Sequence, residues 1–356
     1  MVPTNSHYPQ RAGIPVVTRV WFNKTFSSVH SALRLIRSAD ADEQYELIVS
    51  SANPHALAGL VADRFQLEPH DLKGSAYIDW CLEFCRKEAI HIFVPGKEST
   101  LISENRELFE AAGVRILSAA RKEHLDLINN KQRFYETACS RETPPAGWRA
   151  CSTLAEFDSA FEALSEEHAA LCIKPAVSVY GIGFRRIRTD KSTFQLFSSG
   201  SEYQITLASL RTMLGEVDSF PTLLVMEYLG GHEYSVDCIA DSGLLKCAIV
   251  RKKSLHAGHG QLIDDRPEIV QECELIVDQF GLNGMVNIQF REGEHGVRVL
   301  EVNPRMSGGI AMACLAGPNL PYLGLTGFDR GYDNIRIPPI QFGLRVGEFN
   351  QASVFA

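Results

Sequence analysis

The chain has 356 residues, with 35 Lys and Arg against 43 Asp and Glu and a formal net charge of −8. Its 45% hydrophobic and 22% charged residues are those of a globular protein, which argues against a disordered, collagen-like or coiled-coil chain. The acidic balance is a poor match to a general nucleic-acid binder, although a local cluster of cations and backbone N–H groups can still hold a phosphate.

Residues 1–15 read as a flexible tail and lack the basic-then-apolar pattern of a signal peptide. From residue 16 strands and helices alternate. VVTRVWFN (16–23), YELIVSSA (45–52), IHIFVPG (90–96) and VRIL (114–117) read as strands. Helices are expected at 28–37, 55–63, 76–87 and 101–112, the last closed by Gly113. This spacing predicts an open, Rossmann-like α/β domain over residues 16–120. No G-x-G-x-x-G follows the first strand, so a dinucleotide-binding dehydrogenase loses its main support. The domain is instead expected to help form a substrate site near its strand C-termini.

A helix is expected around 119–139, and RETPPAG (141–147) then breaks the chain. Residues 121–225 read as that linker helix and a small α/β unit. It would comprise a helix near 154–166, strands at 170–176 and 184–189, and a helix around 203–214. The region from 226 onward reads as a mostly antiparallel α+β lobe, introduced by the strand TLLVMEYL (222–229). The uncharged stretch 306–328 is long enough to span a bilayer. Gly308, Gly309, Gly317, Pro318 and Pro321 divide it into loop and short helix, so no membrane span is expected. The nine cysteines, Cys81 and Cys85 among them, form no zinc pattern and read as buried thiols of a reducing, cytoplasmic compartment.

Three constellations carry chemistry. In VLEVNPR, Glu301 and Asn303 share one strand face, and the preceding strand VNIQF offers Gln289 through a short connection. One carboxylate and two amide oxygens suit Mg²⁺ (or Mn²⁺), and Arg305 follows at the strand end, placed to meet a transferring phosphoryl group. In CIKPAVSVYGIGF, Lys174 sits inside an apolar strand and leads to a loop with Ser178, Gly181 and Gly183, suited to backbone contact with a phosphate. In LLVMEYLGGHEYSVD, backbone groups of Glu227, Tyr228 and Leu229 could meet an adenine edge, and Glu233 could accept from ribose hydroxyls. Arg251 ends an apolar strand and is expected to point at a γ-phosphate or a substrate carboxylate, which its fork suits. Lys252 and Lys253 extend that basic run. RKKSLHAGHGQLIDD (251–265) reads as a flexible active-site loop in which Ser254, His256 and His259 could meet substrate.

Taken together, these segments resemble the ATP-grasp superfamily, in the carboxylate–amine ligase group related to biotin carboxylase and carbamoyl-phosphate synthetase. VPGKESTLISENRELFEAAGVRIL is similar to the stretch that ends the N-terminal domain in the carboxylase branch. INNKQRFYETA resembles the segment supplying the first ATP lysine, here Lys131, with Asn130 where Asp is usual. IKPAVSVYGIGF matches the segment of the second, Lys174, and VNIQF…VLEVNPR is close to the magnesium-binding strands, with Gln at 289. The resemblance implies a Rossmann-like N-terminal domain followed by a two-lobed ATP-grasp fold that binds ATP and Mg²⁺. It further implies that Lys174, Arg251 and Arg305 serve phosphoryl transfer to a small carboxylate, which a small amine then attacks to form an amide. Dimers are common in the group, so a homodimer is allowed for. A carboxylase or carbamoylating activity on bicarbonate, or a silent nucleotide-binding scaffold, are the alternatives.

Overall fold

A computed structural model describes residues 17–24, 27–96, 98–138, 142–178, 181–200, 202–256, 258–349 and 354. The expected tail 1–15 lies outside them.

The first sheet holds β1 (Thr18–Phe22), β2 (Tyr45–Ser51), β3 (Arg64–Leu67), β4 (Ile92–Val94) and β5 (Arg115–Ile116), all parallel, in the order β3-β2-β1-β4-β5. Helices α1 (Ser27–Ala39), α2 (Gly74–Lys87), α3 (Ser99–Glu104) and α4 (Arg106–Ala111) connect its strands. Apolar residues at helical spacing explain α1, whose Val29, Ala32, Leu33 and Ile36 are buried against Val20, Phe22 and Leu47. Two expectations differ here. The segment 55–63 forms only a 3-10 turn (Leu57–Leu60) and is followed by β3, an edge strand whose side chains are mostly exposed and carry little apolar signal. The helix expected at 101–112 is broken at Asn105, which joins α3 to α4.

The helix expected at 119–139 is likewise two helices, α5 (Lys122–Ile128) and α6 (Lys131–Thr137). Asn130 has extended backbone, and its side chain accepts from the N–H of Arg133 at 3.2 Å, so it caps α6 and ends the run. The second sheet contains β6 (Trp148–Cys151), β7 (Leu171–Pro175), β8 (Arg185–Arg188), β9 (Gln204–Thr206) and β10 (Leu223–Glu227), in the order β6-β10-β7-β8-β9. Helices α7 (Leu154–Glu167), α8 (Thr193–Ser198) and α9 (Leu207–Leu214) accompany it. Helix α8 and strand β9 are additions to the sequence reading; the helix expected over 203–214 is confined to its second part. Strand β10, read as the opening of the last lobe, runs between β6 and β7 as a buried central strand of this second sheet.

The third sheet is antiparallel and consists of β11 (Glu233–Asp241), β12 (Leu244–Lys253), β13 (Gln261–Ile263), β14 (Gly284–Gly293), β15 (Gly296–Asn303) and β16 (Arg345–Val346). Its order is β15-β14-β11-β12-β13-β16. The loop read over 251–265 is therefore shorter than expected, because β12 runs to Lys253 and β13 pairs back onto it. Helices α10 (Pro267–Gln279), α11 (Ile310–Cys314) and α12 (Leu320–Arg330) complete the fold. The largest core joins the third sheet to α5, α6 and α10 through residues such as Leu125, Phe134, Ile276 and Phe290. Among the described residues no helix is long and apolar enough to cross a membrane.

Candidate functional site

The second and third sheets face each other across a cleft of about 830 Å³. Its floor is the β14–β15 hairpin. Gln289 lies opposite Glu301 and Asn287 opposite Asn303, so four polar side chains share one face at the strand ends. They touch in a chain: Asn303 Nδ2 donates to Glu301 Oε1 at 3.3 Å and to Asn287 Oδ1 at 3.4 Å, and Gln289 Nε2 donates to the same Asn287 oxygen at 3.4 Å. Arg305, just beyond β15, donates to Asn303 Oδ1 at 3.3 Å.

Two lysines answer this face. Lys131, in the first turn of α6, places Nζ 3.3 Å from Glu301 Oε2 and 3.1 Å from the carbonyl of Ser178. Lys174 on β7 donates to Tyr135 Oη at 2.8 Å, and Tyr135 in turn donates to the carbonyl of Leu300 at 2.6 Å. Burial pushes both ammonium groups below the ordinary lysine value, and Glu301 pulls in the opposite direction. Burial also works against the ionisation of Glu301. The charges of Lys131 and Lys174, with hydrogen bonds from Lys131 and Asn303, nevertheless hold its carboxyl below the usual range.

The segment joining the two sheets forms the cleft's back wall. Glu227, Tyr228, Leu229 and Glu233 all line it, with Phe184 and Tyr203 opposite from the second sheet's side. The N–H groups of Glu227 and Tyr228 are held by the carbonyls of Gly147 and Ala170, which fixes the turn. Glu233 pairs with Lys253 and lies 3.9 Å from Arg291. Arg186 lies over the ring of Tyr228, its guanidinium 4.3 Å from the centroid.

Of the residues singled out in the sequence, Lys131, Lys174, Ser178, Gly181, Glu227, Tyr228, Leu229, Glu233, Gln289, Glu301, Asn303 and Arg305 line this cleft. Two do not. Gly183 is outside the lining; it takes φ +82°, and a Cβ there would stand 2.6 Å from Pro175 Cγ, so it shapes the loop. Arg251 is 1% exposed and its guanidinium is committed to Asp237, Ser235, Ser307 and Gln261, so it does not reach into the cleft. Ser254, His256 and His259 are exposed and also lie outside the lining. Residues 179 and 180 of the glycine loop fall outside the described residues. The sequence reading missed Asn287, although its position two before Gln289 puts both on one strand face. It also missed Tyr135, four residues after Lys131 and hence on the same helix face.

A face of one carboxylate and three amides fits a hard divalent cation, which prefers oxygen ligands, and the two lysines with Arg305 fit a polyphosphate. The cleft's size and mixed walls suit a nucleotide. A family model described as "ATP-grasp in the biosynthetic pathway with Ter operon" matches residues 219–352. The arginine-specific large chain of carbamoyl phosphate synthase from Geobacillus stearothermophilus is 25% identical over 297 residues, covering 79% of this chain and 25% of that one. The chain thus spans about a quarter of the length of the curated relatives it matches. Among solved structures, N5-carboxyaminoimidazole ribonucleotide synthetase in its ADP complex superposes with TM-score 0.65 at 13% identity, covering 94% of this chain and 80% of that one. The L-amino acid ligase of Bacillus licheniformis gives TM-score 0.62 at 13% identity, covering 90% and 77%. The ATP-grasp likeness in sequence thus falls on residues 219–352, and the solved structures share the fold over most of the chain.

Proposed function

We propose that the protein is an ATP-dependent, ADP-forming ligase that activates a small carboxylate as an acyl phosphate and couples it to an amine. The observation that carries this reading is the Lys131–Glu301 contact at 3.3 Å, where the lysines meet the amide–carboxylate face inside one cleft. Gln289, Glu301 and Asn303 would hold Mg²⁺ or Mn²⁺, with Asn287 beside them. Magnesium, when bound, supplies charge neutralisation to the phosphates. Lys131, Lys174 and the Ser178–Gly181 loop would hold the phosphates, Glu227–Leu229 the base edge, and Glu233 the ribose. Arg305, at the mouth of the hairpin, would stabilise the phosphoryl group as the carboxylate oxygen attacks and the bond to ADP breaks. The amine then attacks the acyl carbon, and inorganic phosphate leaves with the oxygen donated by the acid. The second sheet, carrying Lys174 and the glycine loop, would act as a lid that keeps water from the acyl phosphate.

The first sheet reads as the Rossmann-like domain that precedes the ATP-grasp lobes. A small pocket at the C-terminal ends of β1 and β4 is lined by Asn23, Ser28 and Gly96 and also by Arg305, which supports a substrate contribution from that domain. The cysteines among the described residues are all free and buried, in keeping with a cytoplasmic setting. A second reading, carboxylation or carbamoylation through bicarbonate, is favoured by the likeness to carbamoyl phosphate synthase large chains. A panel of carboxylates and amines, with bicarbonate as one arm, screened by ADP release and product mass, separates the two. Amide products support the ligase, and turnover with bicarbonate alone supports the alternative.

A further inference from the structure

Behind the cleft's polar face lies a buried network that the proposed reaction does not use. Asp237 on β11 and Arg251 on β12 are each 1% exposed, and Nε of the arginine lies 2.8 Å from Oδ2 of the aspartate. The rest of the fork donates to Ser235 Oγ at 3.0 Å, to Ser307 Oγ at 2.9 Å and to the side-chain oxygen of Gln261. Gly309 makes room for it, since a Cβ there would stand 2.5 Å from Arg251 Nη1. The second carboxylate oxygen of Asp237 accepts from Asn287 Nδ2 at 3.1 Å, and Ser235 Oγ and the carbonyl of Val236 accept from the same nitrogen at 2.9 and 3.1 Å.

This arrangement fixes the direction of an amide. An ionised carboxylate only accepts, so Asn287 must turn its nitrogen inward and its oxygen toward the cleft. That oxygen then draws the nitrogens of Gln289 and Asn303, both 3.4 Å away. An amide that gives its nitrogen to one side presents its oxygen to the other, and Asn303 Oδ1 does so in accepting from Arg305. We propose that Asp237, acting through Asn287, orients the amides of Gln289 and Asn303 so that their oxygens serve a divalent cation. Arg251 is a positioning residue that holds Asp237 and, through Ser307, the turn bordering the cleft. The inference rests on the reading of this cleft as a metal–nucleotide site.

The test compares affinity for ADP with Mn²⁺ and for ADP in excess chelator, by calorimetry on the full chain. Asp237→Asn removes the compulsory acceptor without changing size, and Asn287→Leu removes the relay while leaving the Asp237–Arg251 pair intact. Each variant is expected to lower the affinity for Mn²⁺–ADP about 10–100-fold relative to ADP alone, the effect of losing an outer-shell partner of a metal site. Where Asp237→Asn does not fold, Asn287→Leu decides. An unchanged ratio, or equal loss of both affinities as a merely structural role would give, overturns the proposal. A wild-type chain that binds ADP in neither condition overturns the underlying reading of the cleft, and the proposal with it.

Discussion

Lys131 Nζ and Glu301 Oε2 lie 3.3 Å apart, which ties the first turn of α6 to the end of β15 across the cleft. The contact has opposite consequences for its two members. Burial lowers the lysine's pKa against the pull of Glu301, whereas the lysines hold the glutamate's carboxyl ionised against its burial. A charge pair held between a cap and a strand end is suited to being opened by a competing anion and a competing cation.

Glu301→Gln keeps the size of the side chain but removes the charge and turns one of its two accepting oxygens into a donor. ADP formation is expected to fall at least about 100-fold, equivalent to about 2.7 kcal/mol of transition-state stabilisation. Circular dichroism should remain that of the parent. Turnover within a few-fold of the parent would remove Glu301 from the metal set.

The lysines also set a pH dependence. Both have pKa values depressed from 10.5, and a bound polyphosphate favours their charged forms. Affinity for ADP should therefore decline as pH rises through these depressed values, below the pH at which an ordinary lysine would titrate, with proton uptake on binding. The sign for stability of the free protein is the reverse. The unfolded lysines hold more protons between the depressed value and 10.5, so these two groups favour folding increasingly as pH rises through that window. Calorimetry in buffers of different ionisation enthalpy measures the uptake. No uptake on the alkaline side would contradict the assignment.

Arg251→Ala leaves Asp237 buried without its ion-pair partner. The loss of folding stability is expected to be about 3–5 kcal/mol, as when one member of a buried pair is removed. Urea unfolding reads it directly, and a loss under about 1 kcal/mol would place Arg251 among exposed, weakly coupled charges.

Gly183→Ala should be much more damaging than Gly181→Ala, although both glycines have positive φ, +82° and +68°. At Gly183 the added carbon would meet Pro175, at 2.6 Å, whereas among the described residues nothing lies within 4 Å at Gly181. The expected costs are about 2–3 kcal/mol against about 1 kcal/mol, measured by thermal unfolding. Equal costs would mean that the Pro175 contact yields freely.

Much of the cleft was legible in the sequence because its residues break strong local patterns. Lys174 interrupts an apolar strand, and Glu301 and Asn303 occupy one face of another, which period-two alternation reveals without any knowledge of the partner. Arg251 shows where that logic stops. Its place at a strand end suggested reach, but pairing puts it opposite Ser235 and Ile263, with Ser307 packed over it. Those neighbours come from distant segments, so no local pattern announces them. The same holds for β10, whose sheet is decided by pairing with β6 and β7. The break between α5 and α6 was readable in principle, since Asn130 is a good cap, but the helical periodicity on either side hid it.

The most direct test of the central claim is to supply hydroxylamine in place of the amine, with ATP, Mg²⁺ and the acid found by the ADP-release screen. The account predicts the hydroxamate of that acid, together with ADP and phosphate in equal amounts, and its loss in Glu301→Gln. ADP release with no hydroxamate from any active acid, or release of AMP, would contradict an acyl phosphate formed in this cleft.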